Sequence, residues 1–102
     1  MNITNEMKLS FLSRSNNESF ARVAVAAFFA QLDPTVDEMA DIKTAVSEAV
    51  TNSIVHGYRE KIGVIYIHAK ILEDRTISIK IRDNGCGIDD IKQAMEPMFT
   101  TC

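Results

Sequence analysis

The chain has no tryptophan, and only two cysteines, two prolines and four glycines among 102 residues. The four soft metal ligands, His56, His68, Cys86 and Cys102, show no CxxC or HxxxH spacing, so a zinc centre is not expected. The opening MNITNEMKLSF lacks an apolar h-region and a small-residue cleavage site. Secretion, and with it a disulfide framework, is therefore not expected, and the chain reads as cytoplasmic. Long hydrophobic runs are also missing. The longest, Val23–Ala30, has eight residues, whereas a membrane-spanning helix takes about 20. Basic charge is in the minority: 11 Lys and Arg against 14 Asp and Glu give a net charge of −3. A sequence pI near 5.3 argues against nucleic acid as the main ligand, because phosphate neutralisation needs a basic surface. What remains, 46% hydrophobic and 25% charged residues, is the composition of one soluble globular domain.

The order of elements follows from periodicity and caps. Met7–Ser13 alternates, with Met7, Leu9 and Phe11 on one face, and predicts a short strand. Ser15-Asn16-Asn17-Glu18 has the form of a capping box, opening a helix from about Asn16 to Leu32. The run Val23–Ala30 within it is apolar on nearly every face. That fits burial between a sheet and another helix, and equally a helix whose outer side meets a partner chain. Asp33-Pro34 ends the helix. Thr35-Val36-Asp37-Glu38 is a second capping box, and the spacing of Val36, Met39, Ile42, Val46, Ala49, Val50, Ser53 and Ile54 predicts a long helix to about His56, with Gly57 as its C′ residue. Val64–Leu72 and Thr76–Arg82 alternate strictly and form an antiparallel hairpin around Glu73-Asp74-Arg75, with one wet face. After Asp83-Asn84-Gly85-Cys86-Gly87-Ile88, a short helix is expected at about Asp89–Met95. This order predicts an α/β (α+β) two-layer sandwich, with helices on one face of a mostly antiparallel sheet.

Two features carry chemistry. Glu48 and Asn52 stand at i, i+4 on the long helix, with His56 one turn later, which stacks them on one face. A carboxamide oxygen there suits Mg²⁺, a hard cation, and a carboxylate can take a proton from an attacking hydroxyl. The same pair also fits a plain solvated helix face. Asp83-x-Gly85-x-Gly87 follows a strand: Asp83 can accept from an exocyclic amine, and glycines let backbone approach a ligand closely. Alone, this is also a tight turn. A calcium loop is disfavoured because Gly85 and Gly87 would fall at ligand positions.

Together, Ser47–Gly57 and Arg82–Ile88 resemble the Asn box and first Gly box of the Bergerat-type ATP-binding fold shared by gyrase, heat-shock chaperones, histidine kinases and MutL. The His56-Gly57 ending resembles the anti-sigma branch. Asn17–Val23 and Gln31–Thr35 are similar to the anti-sigma F factors of spore-forming bacteria, and the resemblance spans essentially all 102 residues. It implies ATP or ADP with Mg²⁺ as ligands. It also implies a homodimer that sequesters a sporulation sigma factor, and a serine kinase that phosphorylates an anti-anti-sigma protein. By the same resemblance Glu48 is the base, Asn52 the Mg²⁺ ligand, Asp83 the adenine reader, and Gly85 and Gly87 the pocket floor. Arg22, by itself an ordinary solvated charge, becomes a contact to the protein partners. No membrane or nucleic acid is implied. The family's ATP lid and second Gly box have no counterpart before Cys102, so residues 1–102 read as a single kinase-like domain truncated before them, with one sheet edge left open. A non-catalytic sigma-binding module stands as an alternative. So does the ATPase domain of a related regulator, a stress-response anti-sigma factor or a histidine kinase.

Overall fold

The computed structural model of the chain describes residues 2–57, 61–83, 88–94 and 100–101. Its elements, in order, are β1 (Ile3–Leu12), α1 (Asn17–Phe29) with a 3₁₀ turn Ala30–Leu32, α2 (Val36–Asn52) with a π turn Ser53–Gly57, β2 (Val64–Leu72), β3 (Thr76–Arg82), β4 (Ile88–Ala94) and β5 (Thr100–Thr101). The sheet has five strands in the order β1-β2-β3-β4-β5, and every neighbouring pair is antiparallel. The two helices form the second layer.

Strand alternation decides which face they cover. Ile65, Ile67, Ala69 and Ile71 of β2, and Ile77, Ile79 and Ile81 of β3, are buried. Register aligns them into rows such as Leu9–Ile67–Ile81 and Met7–Ala69–Ile79. Against this surface α1 sets Ala21, Val25 and Phe29, and α2 sets Ile42, Ala45, Val46, Ala49 and Val50. Each fully buried aliphatic side chain contributes roughly 1.5–3 kcal/mol relative to exposure. The helix α1 is one-sided, since Phe20 and Val23 on its outer side are 52% and 60% exposed. Among the expected α2 stripe residues, Val36 departs. It is exposed at the first turn of the helix. No helix among the described residues is long and apolar enough to cross a membrane.

The hairpin between β2 and β3 closes as expected. The Arg75 amide donates to the Leu72 carbonyl at 3.0 Å and the Thr76 amide to Asp74 Oδ1 at 3.0 Å. Hydrogen bonds from Thr76, first its hydroxyl and then its amide, hold the Asp74 carboxyl below its ordinary value. Arg75 takes a left-handed φ of 67°. Its guanidinium donates to the Leu32 carbonyl at 2.9 Å, tying the hairpin to the end of the first helical segment.

Three local expectations are corrected. The first strand begins at Ile3, not Met7, because pairing with β2 extends past the alternating segment. The segment expected as a helix at Asp89–Met95 is instead strand β4, Ile88–Ala94, laddered on β3 from Arg82↔Ile88 to Thr76↔Ala94. A two-turn helix is marginal on its own, while the free edge of β3 offers a full set of backbone partners. The capping box at Ser15 does not form: helix α1 starts without a side-chain cap. The Glu18 carboxylate that would have reached back instead receives Arg22 Nη1 at 3.2 Å. The box at Thr35 forms in both halves, with Glu38 N to Thr35 Oγ1 at 3.1 Å and Thr35 N to Glu38 Oε1 at 2.8 Å. In urea titrations Thr35→Ala should therefore lower stability by about 1 kcal/mol, whereas Ser15→Ala should stay within about 0.5 kcal/mol of the parent. Equal losses would contradict this assignment of the caps.

Candidate functional site

The packing of α2 orients its polar side. Ile42, Ala45, Val46, Ala49 and Val50 face the sheet. At 100° per residue this turns Ser47, Glu48, Thr51 and Asn52 outward, as two adjacent i, i+4 stacks. These four residues line one open depression of about 430 Å³, within the roughly 300–1,000 Å³ of small-molecule sites. Glu48 and Asn52, expected to act together, are thus both exposed and share a cleft. Ser47 and Thr51 were not singled out in the sequence. Their signal was the same spacing, shifted by one residue.

The α winding stops at Asn52 and is followed by the π turn Ser53–Gly57, with the Ser53 amide directed at the carbonyls of both Ala49 and Val50. Such turns change the angular step of a helix. The His56 side chain lies outside the described residues.

Arg22 sits in the second turn of α1 and leans toward α2. Its Nη1 donates to Glu18 Oε1 at 3.2 Å and to Ser47 Oγ at 3.5 Å, and its Nη2 to Ser19 Oγ at 3.4 Å. The ion pair with Glu18 leaves 37% of the Arg22 side chain exposed. A second depression, lined by Ser15, Glu18, Ser19, Arg22, Thr51 and Ile54 among others, adjoins the first through Thr51. Arg22 is therefore neither buried nor remote: it stands one hydrogen bond from the residue preceding Glu48.

Topology brings Asp83 to the same end of the sandwich. The end of β1 faces the start of β2 (Leu12↔Val64), and the end of β3 lies beside it (Tyr66↔Arg82). Ser13 clamps this end, since its amide donates to the Gly63 carbonyl and its Oγ accepts from the Gly63 amide, both at 2.9 Å. Helix α1 departs from this end and α2, running antiparallel to it, returns there. Asp83 closes β3 at this end and is buried, at 7% exposure. Gly85 and Gly87 lie outside the described residues. No cluster of three or more His, Cys, Asp or Glu suited to a metal exists among the described residues. The oxygen donors available to a cation in the first depression are those of Ser47, Glu48, Thr51 and Asn52, a hard set of the kind Mg²⁺ takes.

Comparison with known proteins gives the family. The family described as histidine kinase-like ATPase domain matches residues 12–100. An anti-sigma F factor of Thermoanaerobacter sp. (strain X514) is 63% identical over 101 residues, covering 99% of this chain and 70% of the relative. That of Caldanaerobacter subterraneus subsp. tengcongensis is 61% identical over 101 residues, with the same coverage. The anti-sigma F factor of Clostridium botulinum (strain Eklund 17B / Type B) is 62% identical over 98 residues, 95% of this chain and 68% of the relative.

This chain belongs to the anti-sigma F factor family.

Membership brings with it an ATPase domain, and hence nucleotide binding. Because Asn52 is exposed on the last α turn of α2, Asn52→Ala should change stability by no more than about 0.5 kcal/mol. It should also abolish the Mg²⁺ dependence of ATP binding measured by calorimetry. Equal ATP affinity with and without Mg²⁺ in the unaltered protein would remove Asn52 from metal binding.

Proposed function

We propose that this protein binds ATP or ADP with Mg²⁺, sequesters a sporulation sigma factor as a homodimer, and phosphorylates a serine of an anti-anti-sigma protein in the cytoplasm. The observation that carries the reading is the shared cleft of Glu48 and Asn52, at the end of the sandwich where Asp83 closes β3. The names of the relatives, anti-sigma F factors, supply the sigma-factor partner.

Each residue has a distinct task in this reading. Asp83, at the sheet end, accepts a hydrogen bond from the adenine amino group, and the family resemblance assigns Gly85 and Gly87 to the pocket floor. The Asn52 carboxamide oxygen holds Mg²⁺, with the Ser47 and Thr51 hydroxyls nearby as further oxygen donors. A Mg²⁺ ion held there would supply charge neutralisation for the phosphate oxygens. Glu48 stands at the open rim, where a serine of another protein can reach it. Its carboxylate orients the serine hydroxyl and takes its proton as the oxygen bonds to the γ-phosphorus, while the bond from the γ-phosphorus to the bridging oxygen breaks and ADP leaves. Phosphoryl transfer is chiefly positioning and charge stabilisation, so a rigid helix carrying both groups one turn apart suits it. Arg22, half exposed and held by Glu18 and Ser19 beside the cleft, contacts the protein partners.

Glu48→Gln should retain ATP binding and reduce serine phosphorylation by about 10²-fold or more. Transfer of labelled phosphate at the parental rate would reduce Glu48 to a surface residue. Arg22→Glu should weaken sigma-factor capture by about tenfold or more, as loss of an interface arginine does, with nucleotide affinity unchanged. Undiminished sigma factor in a pull-down would take Arg22 out of the interface.

A further inference from the structure

The helices cover one face of the sheet. The other face is uncovered among the described residues, and its charge is opposite to that of the chain. Cross-strand register places Lys8, His68 and Lys80 in one row, Ser10, Tyr66 and Arg82 in the next, and Glu6, Lys70 and Ser78 in a third. Lys70 is half-buried; Lys8, Lys80 and Arg82 are exposed. These rows hold four permanent cations against one carboxylate, in a protein of net charge −3. The single carboxylate is already engaged, since Glu6 Oε1 lies 3.0 Å from His68 Nε2. Arg82 is laid over the Tyr66 ring, 4.8 Å from its centroid, which fixes its guanidinium while leaving its N–H donors open to solvent. A shallow cleft of about 620 Å³ runs between Lys8, Ser10, Tyr66, His68, Lys80 and Arg82.

Lys8 and Lys80 flank His68 from both sides at strand spacing, which sets two permanent cations about 10 Å apart, within the reach of unscreened charge at about 0.1 M salt. Such an arrangement gains from an anionic partner. Tyr66, His68 and Ser10 add hydrogen-bonding groups between the cations. We propose that this sheet face is a docking surface for an acidic polypeptide segment, separate from the nucleotide cleft. Nucleic acid fits less well, because the basic area is confined to one face and the rest of the chain repels a polyanion. A second copy placed face to face would set the same cations against each other.

The experiment is fluorescence anisotropy of the protein with a fluorescein-labelled Glu-Ser repeat peptide, beside a single-stranded oligonucleotide of equal charge. The peptide should bind. Its affinity should fall as salt rises from about 0.1 to 1 M, over which the Debye length shrinks from about 10 to about 3 Å. Lys8→Glu with Lys80→Glu should weaken binding by about tenfold or more. Lys43→Glu, which reverses one charge on exposed α2 where the paired variant reverses two, should alter it less than about threefold. Lys8→Gln with Lys80→Gln, which removes charge without adding repulsion, covers the case in which the doubly reversed variant fails to fold. Absence of peptide binding, equal losses in the Lys43 variant, tighter binding of the oligonucleotide, or dissociation of a homodimer by the Lys8 and Lys80 changes would each overturn the proposal.

Discussion

The structure depends on one contact surface: the isoleucine face of β2 and β3 against the stripe Ile42, Ala45, Val46, Ala49 and Val50 of α2. This contact fixes the rotation of the helix about its own axis. Turning α2 by one residue would carry Glu48 toward the core, and burying a carboxylate without a partner costs far more than any single aliphatic contact returns. Hydrophobic packing and charge hydration therefore agree on a single rotation, and that rotation presents Glu48 and Asn52 together. The candidate chemistry is a by-product of a core constraint, which keeps it on a rigid element.

The remaining elements bring other groups to the same end. The helix pair is antiparallel, so the start of α1 meets the end of α2, and Arg22 bridges them through Glu18, Ser19 and Ser47. The sheet ends there as well, with Ser13 and Gly63 locking β1 to β2 and Asp83 buried after β3. At this point the α winding gives way to a π turn, a local irregularity of a kind common at functional sites. The opposite sheet face shares none of these residues. It carries a separate basic surface that the register of three strands assembles from isolated lysines and one arginine.

Much of this was legible in the residues, for specific reasons. Strands β2 and β3 match their expected limits because strict alternation with one buried face leaves a single register. The capping box at Thr35 was readable because both of its hydrogen bonds close within the four residues of the motif. The one at Ser15 was not, because Arg22, one turn further on, takes the Glu18 carboxylate, and a four-residue motif does not contain its competitor. The residues of strand Ile88–Ala94 suggest a helix for a related reason: the open edge of β3 is a tertiary partner, invisible in a seven-residue window. In the site, the i, i+4 spacing exposed Glu48 and Asn52. Ser47 and Thr51 were passed over because hydroxyls on a helix surface carry no signal until a cleft joins them. The basic sheet face was hidden by the net acidity of the chain, since composition averages over faces that the fold separates.

The proposed function joins Asp83 and the Glu48–Asn52 cleft in one adenine-nucleotide site. Its most direct test is a pair of calorimetric titrations, ATP and GTP, each with Mg²⁺. A carboxylate reading the adenine amino group would face the guanine carbonyl oxygen instead, leaving a charged hydrogen bond unmade, which costs roughly 1.5–3 kcal/mol. ATP should therefore bind about tenfold or more tighter than GTP, and Asp83→Asn should shrink that ratio. Equal affinity of the unaltered protein for the two nucleotides would contradict the account.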